Sequence, residues 1–337
     1  MILVTGGTGL VGSHLLYQLV NKNNKVKALY RSESTFKAVK HVFSYYTKNS
    51  EELFNAITWV KGDITDTSTL DEAFNDVTVV YHCAALVSFE PNKYHQLRQA
   101  NINGTANIVN RCIAHGVNKI CYVSSIAAIG HHQDPNKLID ESTYWNNEED
   151  NSVYAITKYG AEIEVWRGYQ EGLKVVIVNP GVIIGPGFWK YGSGNLIKKV
   201  DNGFKYFTHG TTAYVDVWDV VNPMIQLTES DVNGERFILV SENLSFKTFL
   251  DKTAKILNVP TATKEATSKL LNIGWRLDWL NHKITGKRRK LSKQLAKTAQ
   301  TKTLYSSQKI IDTIGYEFKP MEESLNITAN FYRDDIA

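Results

Sequence analysis

The chain is 337 residues long, 43% hydrophobic and 21% charged, a balance that excludes a disordered or low-complexity protein. Its net charge of +4 implies no nucleic-acid partner, and no apolar run is long enough to span a bilayer, so neither nucleic acid nor membrane is expected. Three cysteines, Cys83, Cys112 and Cys121, lie in apolar stretches without metal-ligand spacing, so no disulfide framework and no metal are expected; with a strand at the first residue and no signal peptide ahead of it, a cytoplasmic location is the expectation.

The first predicted strand, Met1 to Val4, runs into Thr5-Gly6-Gly7-Thr8-Gly9-Leu10-Val11-Gly12 and then into an amphipathic stretch from Ser13 to Val20. Strand, glycine turn and helix in that order make a phosphate-binding segment. Gly6 permits the tight turn, Gly9 lets the backbone approach a pyrophosphate, and Gly12 lets helix and strand pack closely. The N–H groups freed at the helix start, and the positive end of its dipole, then face the bound anion. The second strand, Lys25 to Tyr30, ends at Arg31, about 20 residues past the glycines, where a carboxylate would hold the ribose hydroxyls of NAD. An arginine there suits the 2′-phosphate of NADP instead, with Ser32 and Lys37 as helpers.

The third strand, Ile57 to Val60, leads to Asp63, Ile64 and Asp66, of which Asp66 reads as a helix cap. The fourth, Val77 to His82, delivers Cys83, Ala84 and Ala85, small enough to leave room for a cofactor at the sheet edge. A helix over Tyr94 to His115 carries Asn101, which either points to solvent or serves a site, and Gly104, whose place in mid-helix costs about 1 kcal/mol and so marks close packing. The fifth strand, Lys119 to Val123, delivers Ser124-Ser125, and a helix reaching Gln170 carries Tyr154 and Lys158 on one face. A phenol with an ordinary pKa near ~10 is a poor acid at neutral pH, and a neighbouring ammonium favours its phenolate. Tyr154 can then exchange a proton with a carbonyl or hydroxyl oxygen that a serine also holds.

Taken together, Thr5-Gly6-x-x-Gly9-x-x-Gly12, Asp63, His82-x-Ala84-Ala85, Asn101-x-x-Gly104-Thr105, Ser124-Ser125, Tyr154-x-x-x-Lys158 and Asn179-Pro180-Gly181 resemble the extended short-chain dehydrogenases/reductases of the NAD(P)-dependent epimerase/dehydratase type. Leu29-Tyr30-Arg31-Ser32, Asn179-Pro180, Tyr214-Val215-Asp216-Val217-x-Asp219 and Ile314-Gly315-Tyr316 look most like the dihydroflavonol-4-reductase-like and cinnamoyl-reductase-like members. The resemblance implies that Asp63 and Ile64 meet the adenine, that Val123 and Ser124 border the cofactor, and that Lys158 holds the nicotinamide ribose. It further implies that the Pro180-Gly181-Val182-Ile183 backbone meets the nicotinamide, that Asn101 lies beneath the active site, and that Ser125 rather than Ser124 faces the substrate. Trp218 departs from the pattern, since many relatives carry Arg there.

The alternation of strands and helices predicts an α/β fold, a Rossmann-type doubly wound parallel sheet, with a smaller, mostly helical C-terminal substrate domain. Residues 1–180 form the cofactor domain and 181–337 mainly the substrate domain, with segments about 210–240 returning to the first. Helices are expected over Gly194–Gly203, Lys247–Leu257, Lys264–Asn281 and Leu291–Ala299. Phe188, Trp189, Tyr206, Phe207, Trp275 and Trp279 either line an apolar cleft or fill a small core. Gly286 to Lys302 carries seven Lys or Arg and no acid, and reads as a solvated helix face.

The expected activity is reduction of a small carbonyl compound, or oxidation of the alcohol, with NADP(H) preferred and NAD(H) allowed; a homodimer is compatible with it. The rival readings are an NAD-dependent sugar-nucleotide epimerase or dehydratase, and an NADP-sensing regulator without turnover.

Overall fold

A computed structural model describes residues 1–132, 134–286, 289 and 291–337; of the basic run, Lys287, Arg288 and Lys290 lie outside the described residues. The first half supplies β1 (Ile2–Thr5), β2 (Val26–Tyr30), β3 (Thr58–Lys61), β4 (Val79–His82), β5 (Lys119–Val123) and β6 (Lys174–Pro180). The second half supplies β7 (Val182–Ile184), β8 (Tyr206–Phe207), β9 (Thr211–Asp216), β10 (Glu235–Leu239), β11 (Glu242–Ser245) and β12 (Lys264–Glu265). Seven of these form one sheet in the order β10-β6-β5-β4-β1-β2-β3, with every neighbouring pair parallel. Strands β5 and β6 are almost continuously buried, as unbroken apolar runs must be where helices cover both faces.

Successive strand residues serve opposite cores, as period-two geometry requires. Val4 packs with Leu15, Leu16, Val220 and Met224 on one face. Its neighbour Leu3 packs with Ile108, Val109, Ala161 and Val165 on the other. The helices Leu10–Asn21 and Trp218–Glu229 cover the first face, and Gly104–Ala114 and Val153–Gln170 the second. Strand order reverses between β1 and β4, and the crevice beyond the carboxyl ends of such a pair is where open α/β sheets bind ligands.

The predicted strands of the first half fall where expected to within two residues or so. The helix expected over Tyr94–His115 runs from Tyr94 to Ala114 but is not α-helical throughout, because Arg98–Asn103 is wound as a π-helix. The second half is mostly helical, as expected, and differs in detail: β7, β9 and β11 form a three-stranded sheet and β8 pairs with β12. Lys264 and Glu265, expected in a helix, are β12; the helix instead spans Ser268–Thr285, started by the Thr267 hydroxyl, which accepts from Leu270 N–H. Its first residues are claimed by strand pairing, since Ala266 N–H already donates to the Phe207 carbonyl. The other three expected helices are found at Gly192–Asp201, Phe246–Leu257 and Lys293–Thr298.

A third core, including Ile184, Tyr214, Phe249, Leu325 and Tyr332, lies under the C-terminal lobe. The lobe is tied back by Asp219, which accepts from Tyr316 Oη at 2.8 Å and Lys319 N–H at 2.9 Å. Trp218 belongs to an aromatic cluster with His14, Tyr17 and Tyr46 under the first helix.

The edge strand β10 is joined to the Val153–Gln170 helix by an ion pair between half-buried Arg236 and fully buried Glu162, Nη1 to Oε1 at 3.0 Å. Removing one member of such a pair strands the other's charge in the interior. Arg236→Met should therefore lower unfolding stability by about 3 kcal/mol, and adding Glu162→Gln should restore part of the loss. Urea unfolding of the two single variants and the double variant measures both.

Candidate active site

The glycine turn sits at the reversal point. Gly6 has φ +69°, and a Cβ there would lie 2.5 Å from the Ala84 nitrogen; a Cβ on Gly12 would lie 2.2 Å from the Gly6 carbonyl oxygen. Packing of the chain on itself thus requires glycine at both positions. Position 9 is different, because the nearest atom to a Cβ there is the Gly6 oxygen at 3.5 Å, an ordinary contact. A glycine that the protein's own packing leaves unexplained is one that a ligand crossing the turn would explain. Gly9 is also the N-cap of the Leu10–Asn21 helix, which has no side-chain cap and no acid in its first turn. The N–H groups of Leu10, Val11 and Gly12 therefore have no acceptor within the helix, and the end of the helix is an anion site by construction. These residues fit a dinucleotide diphosphate.

Thr5 and Ala84 meet across the crevice: the Thr5 hydroxyl is 2.6 Å from His82 Nδ1 and accepts weakly from Ala84 N–H at 3.4 Å. His82 Nε2 lies 2.9 Å from the Thr105 hydroxyl. Burial pushes the His82 pKa down to about 3, so the imidazole is neutral and acts as a structural strut between β1, β4 and the following helix. Gly104, next to Thr105, lacks a side chain because a Cβ would press on the Ile64 side chain at 2.7 Å. Cys83 and Ala84 are half-buried and Ala85 is exposed. Thr8 is half-buried in the glycine turn.

At the outer end of β2, Arg31 is exposed, and its Nη1 lies 3.9 Å from Asp63 Oδ2. Asp63 is held by Thr65, whose N–H and hydroxyl donate to its Oδ1 at 2.9 and 2.8 Å. The ion pair is long and solvent-exposed, and such a pair contributes little, which leaves the guanidinium able to turn to a ligand. Ser32, next in sequence, and Lys37 are exposed as well. Asp66 caps a short helical turn by accepting from Ser68 N–H.

The serine pair divides its duties. Ser124 is buried and donates to Glu162 Oε2 at 2.7 Å, while Ser125 lies half-buried at the start of the next turn. Tyr154 is buried, and burial pushes its phenol up to about 12, with a hydrogen bond to Ser125 working against the rise. Here the structure corrects the sequence-based expectation of a phenol brought down by Lys158. Lys158 Nζ is occupied elsewhere, donating to Tyr122 Oη at 2.7 Å and to the Val123 carbonyl at 2.8 Å, and burial draws its pKa down to about 7.

Asn101 does not face solvent. Its side chain accepts from Leu86 N–H at 2.7 Å and donates to the Leu86 carbonyl at 3.0 Å and the Thr157 hydroxyl at 3.2 Å. It braces the loop after β4 against the tyrosine helix. Pro180 ends β6, Gly181 N–H donates to the Leu239 carbonyl, and Val182 and Ile183 pair with β9, so this segment leaves one sheet to join the other.

Three participants were not singled out from sequence. Tyr122 anchors Lys158, Glu162 gathers Ser124, Asn179 and Arg236, and Phe89, half exposed, stands edge-on to Tyr154 at 5.3 Å. Glu162 lies four residues beyond Lys158, a helical-face spacing that was available in the sequence; Phe89 had no signal beyond an aromatic in a loop. Trp189, considered for a cleft, instead packs on Tyr332 and donates to Asp335 at 2.5 Å. Tyr206 is exposed and Phe207 half-buried on the β8–β12 pair.

Residues 2–239 match the family model of the NAD dependent epimerase/dehydratase family. A protein of Synechocystis sp. provisionally named dihydroflavonol 4-reductase is 27% identical, covering 98% of this chain and 94% of its own length. Cinnamoyl-CoA reductase 1 of Petunia hybrida is also 27% identical, over 71% of this chain and 72% of its own. Among solved structures, UDP-glucose 4-epimerase of Thermotoga maritima superposes with a TM-score of 0.76 at 20% identity, covering 100% of this chain and 99% of that one. At that identity the likeness concerns the fold alone.

The contrast between the glycines gives a test. Gly9→Ala should leave stability within about 0.5 kcal/mol of the parent yet weaken dinucleotide binding at least tenfold. Gly12→Ala should cost about 2 kcal/mol or more by overpacking. Calorimetric titration with the dinucleotide and denaturant unfolding separate the two effects.

Proposed function

The chain belongs to the NAD dependent epimerase/dehydratase family, and from that premise we propose that it is an NADP(H)-dependent reductase of an apolar or aromatic-sized carbonyl compound. The observation that carries this reading is the setting of Tyr154: a phenol kept protonated by burial, hydrogen-bonded to Ser125, under the exposed ring of Phe89. A protonated phenol is a proton donor, and an aromatic wall beside it favours an apolar substrate over a diphosphate sugar.

When bound, the nicotinamide cofactor supplies a hydride to the carbonyl carbon. Ser125 and Tyr154 hold the carbonyl oxygen by hydrogen bonds, which strengthen as negative charge grows on it. Tyr154 gives its proton to that oxygen, so the carbonyl becomes an alcohol and a tyrosinate remains. Lys158, one helical turn away, keeps its Nζ on Tyr122 and the Val123 carbonyl, and the tyrosinate takes its proton back from solvent. Thr5 to Gly12 hold the diphosphate, and Asp63 and Ile64 border the adenine. Ala84, Ala85, Val123 and the Pro180–Ile183 backbone line the path to the nicotinamide. Arg31, with no carboxylate at the end of β2, takes the 2′-phosphate.

Tyr154→Phe should lower kcat by about 10³ with unchanged cofactor affinity, measured by consumption of NADPH against a panel of aromatic and aliphatic carbonyls. A protein that instead interconverts a UDP-sugar without consuming NADPH would replace this reading with the epimerase one.

Arg31→Ala should weaken NADPH binding at least tenfold and leave NADH binding within about twofold of the parent, because a phosphate–arginine pair is lost only with NADPH. Equal affinity of the parent for the two cofactors would refute the assignment of Arg31.

A further inference from the structure

The Ser268–Thr285 helix has an apolar face that the other described residues leave largely uncovered. Leu270, Ile273, Leu277, Leu280 and Ile284 are 43 to 75% exposed. Their spacing of three and four residues places them on one stripe spanning about 80° of the helix. On the opposite side Leu271 is buried, Gly274 packs on Leu291, and Trp275 and Asp278 are half-buried, while Trp279 is 42% exposed beneath Lys283. An exposed patch of this kind marks an interaction surface.

Charge identifies the partner. Lys269, Arg276 and Lys283 are exposed and recur every seven residues, forming a cationic edge beside the stripe, where Arg276 and Lys283 rest over the Trp275 and Trp279 rings. The single acid of the helix, Asp278, is turned inward, where it pairs with Arg289 at 3.6 Å and accepts from Leu291 N–H. In sequence, residues 268–302 carry ten Lys or Arg against that one acid, while the remainder of the chain carries 28 basic and 33 acidic residues. Positive charge is thus concentrated on the segment that exposes the apolar stripe.

A second copy of the chain fits this face poorly. In an antiparallel pairing the cationic edges would oppose each other, and in a parallel one they would face Gly274 and Asn281, which offer no carboxylate. A surface of anionic headgroups over hydrocarbon matches both features: the stripe enters the acyl boundary, and the lysines and arginine reach up to the phosphates. Among the described residues no helix is long and apolar enough to cross a membrane, so the helix would lie in the interface plane.

We propose that the Ser268–Thr285 helix docks the protein on an anionic lipid bilayer, in contrast to the expectation from sequence alone that no membrane is involved. The helix is joined to the catalytic half through its neighbour Lys293–Thr298, where Lys297 pairs with Asp150 just ahead of the Tyr154 helix. Docking would therefore set the loop before Tyr154 close to the lipid.

The test is co-sedimentation of the full chain with phosphatidylglycerol vesicles and with phosphatidylcholine vesicles. The parent should bind the anionic vesicles at least tenfold better, and added salt should weaken that binding. Ile273→Glu with Leu277→Glu changes two exposed positions and should abolish vesicle binding while leaving the thermal melt unchanged. Arg276→Gln with Lys283→Gln should weaken binding roughly twenty-five-fold and reduce its salt dependence, at about five-fold per cation near a charged surface; this pair tests the proposal even if the glutamate variant fails to fold. The proposal is overturned if the parent stays in the supernatant with anionic vesicles, or if both variant pairs sediment as the parent does. It is also overturned if sedimentation velocity shows a dimer that Ile273→Glu with Leu277→Glu disperses while vesicles bind nothing, which would assign the face to a second copy.

Discussion

The carboxylate of Glu162 ties together the elements that carry the candidate site. It is 1% exposed, yet each oxygen is used: Oε2 accepts from Ser124 and Asn179, and Oε1 from Arg236 and, at longer range, Trp166. Those partners belong to the end of β5, the end of β6, β10 and the tyrosine helix. A charge so deep in the interior is tolerated only when its lone pairs are met by donors and a countercharge. The arrangement therefore has little freedom, and Tyr154, two turns along the same helix, inherits that fixity. Ser125 inherits it from the other side, because its neighbour Ser124 is clamped.

The same helix carries Lys158, four residues before Glu162 and equally buried. Each ionic group makes its own set of hydrogen bonds, the lysine to Tyr122 and Val123 and the glutamate to the group above. A buried ammonium and a buried carboxylate on one face lower each other's desolvation cost, and the glutamate works against the fall in the lysine's pKa. The Lys158 and Glu162 turns of the helix are thus electrostatically linked while making separate contacts.

Much of this was legible in the sequence, for reasons that differ by region. The parallel sheet declared itself because strands buried on both faces must be unbroken apolar runs, as in Ile120-Cys121-Tyr122-Val123 and Val175-Val176-Ile177-Val178. The glycine turn was readable because its constraints are local and steric. What was not legible depended on partners distant in the chain. Lys264 and Glu265 carry helix-forming side chains, and only their contact with Tyr206 and Phe207 makes them a strand. The acidity of Tyr154 was misjudged because spacing shows which residues share a face but not what else claims the ammonium. Phe89 lies in a loop whose course is set by Asn101 and could not be placed before that bond was seen.

The π-wound segment Arg98–Asn103 has a consequence for how this chain can change in length. Upstream of its end, Asn101 is committed to Leu86 and Thr157; immediately downstream, Gly104 and Thr105 are committed to Ile64 and His82. A π segment accommodates an extra residue within a helix, and each residue of an ordinary α-helix turns it by about 100°. Deleting one residue inside this segment would relax the winding to a regular α-helix and leave the two sets of commitments close to their present phase, because the wide winding is what absorbs the extra residue. A deletion elsewhere in the helix would instead turn one set away by about 100°, so the segment marks the one stretch of this helix whose length can change without unmaking its contacts.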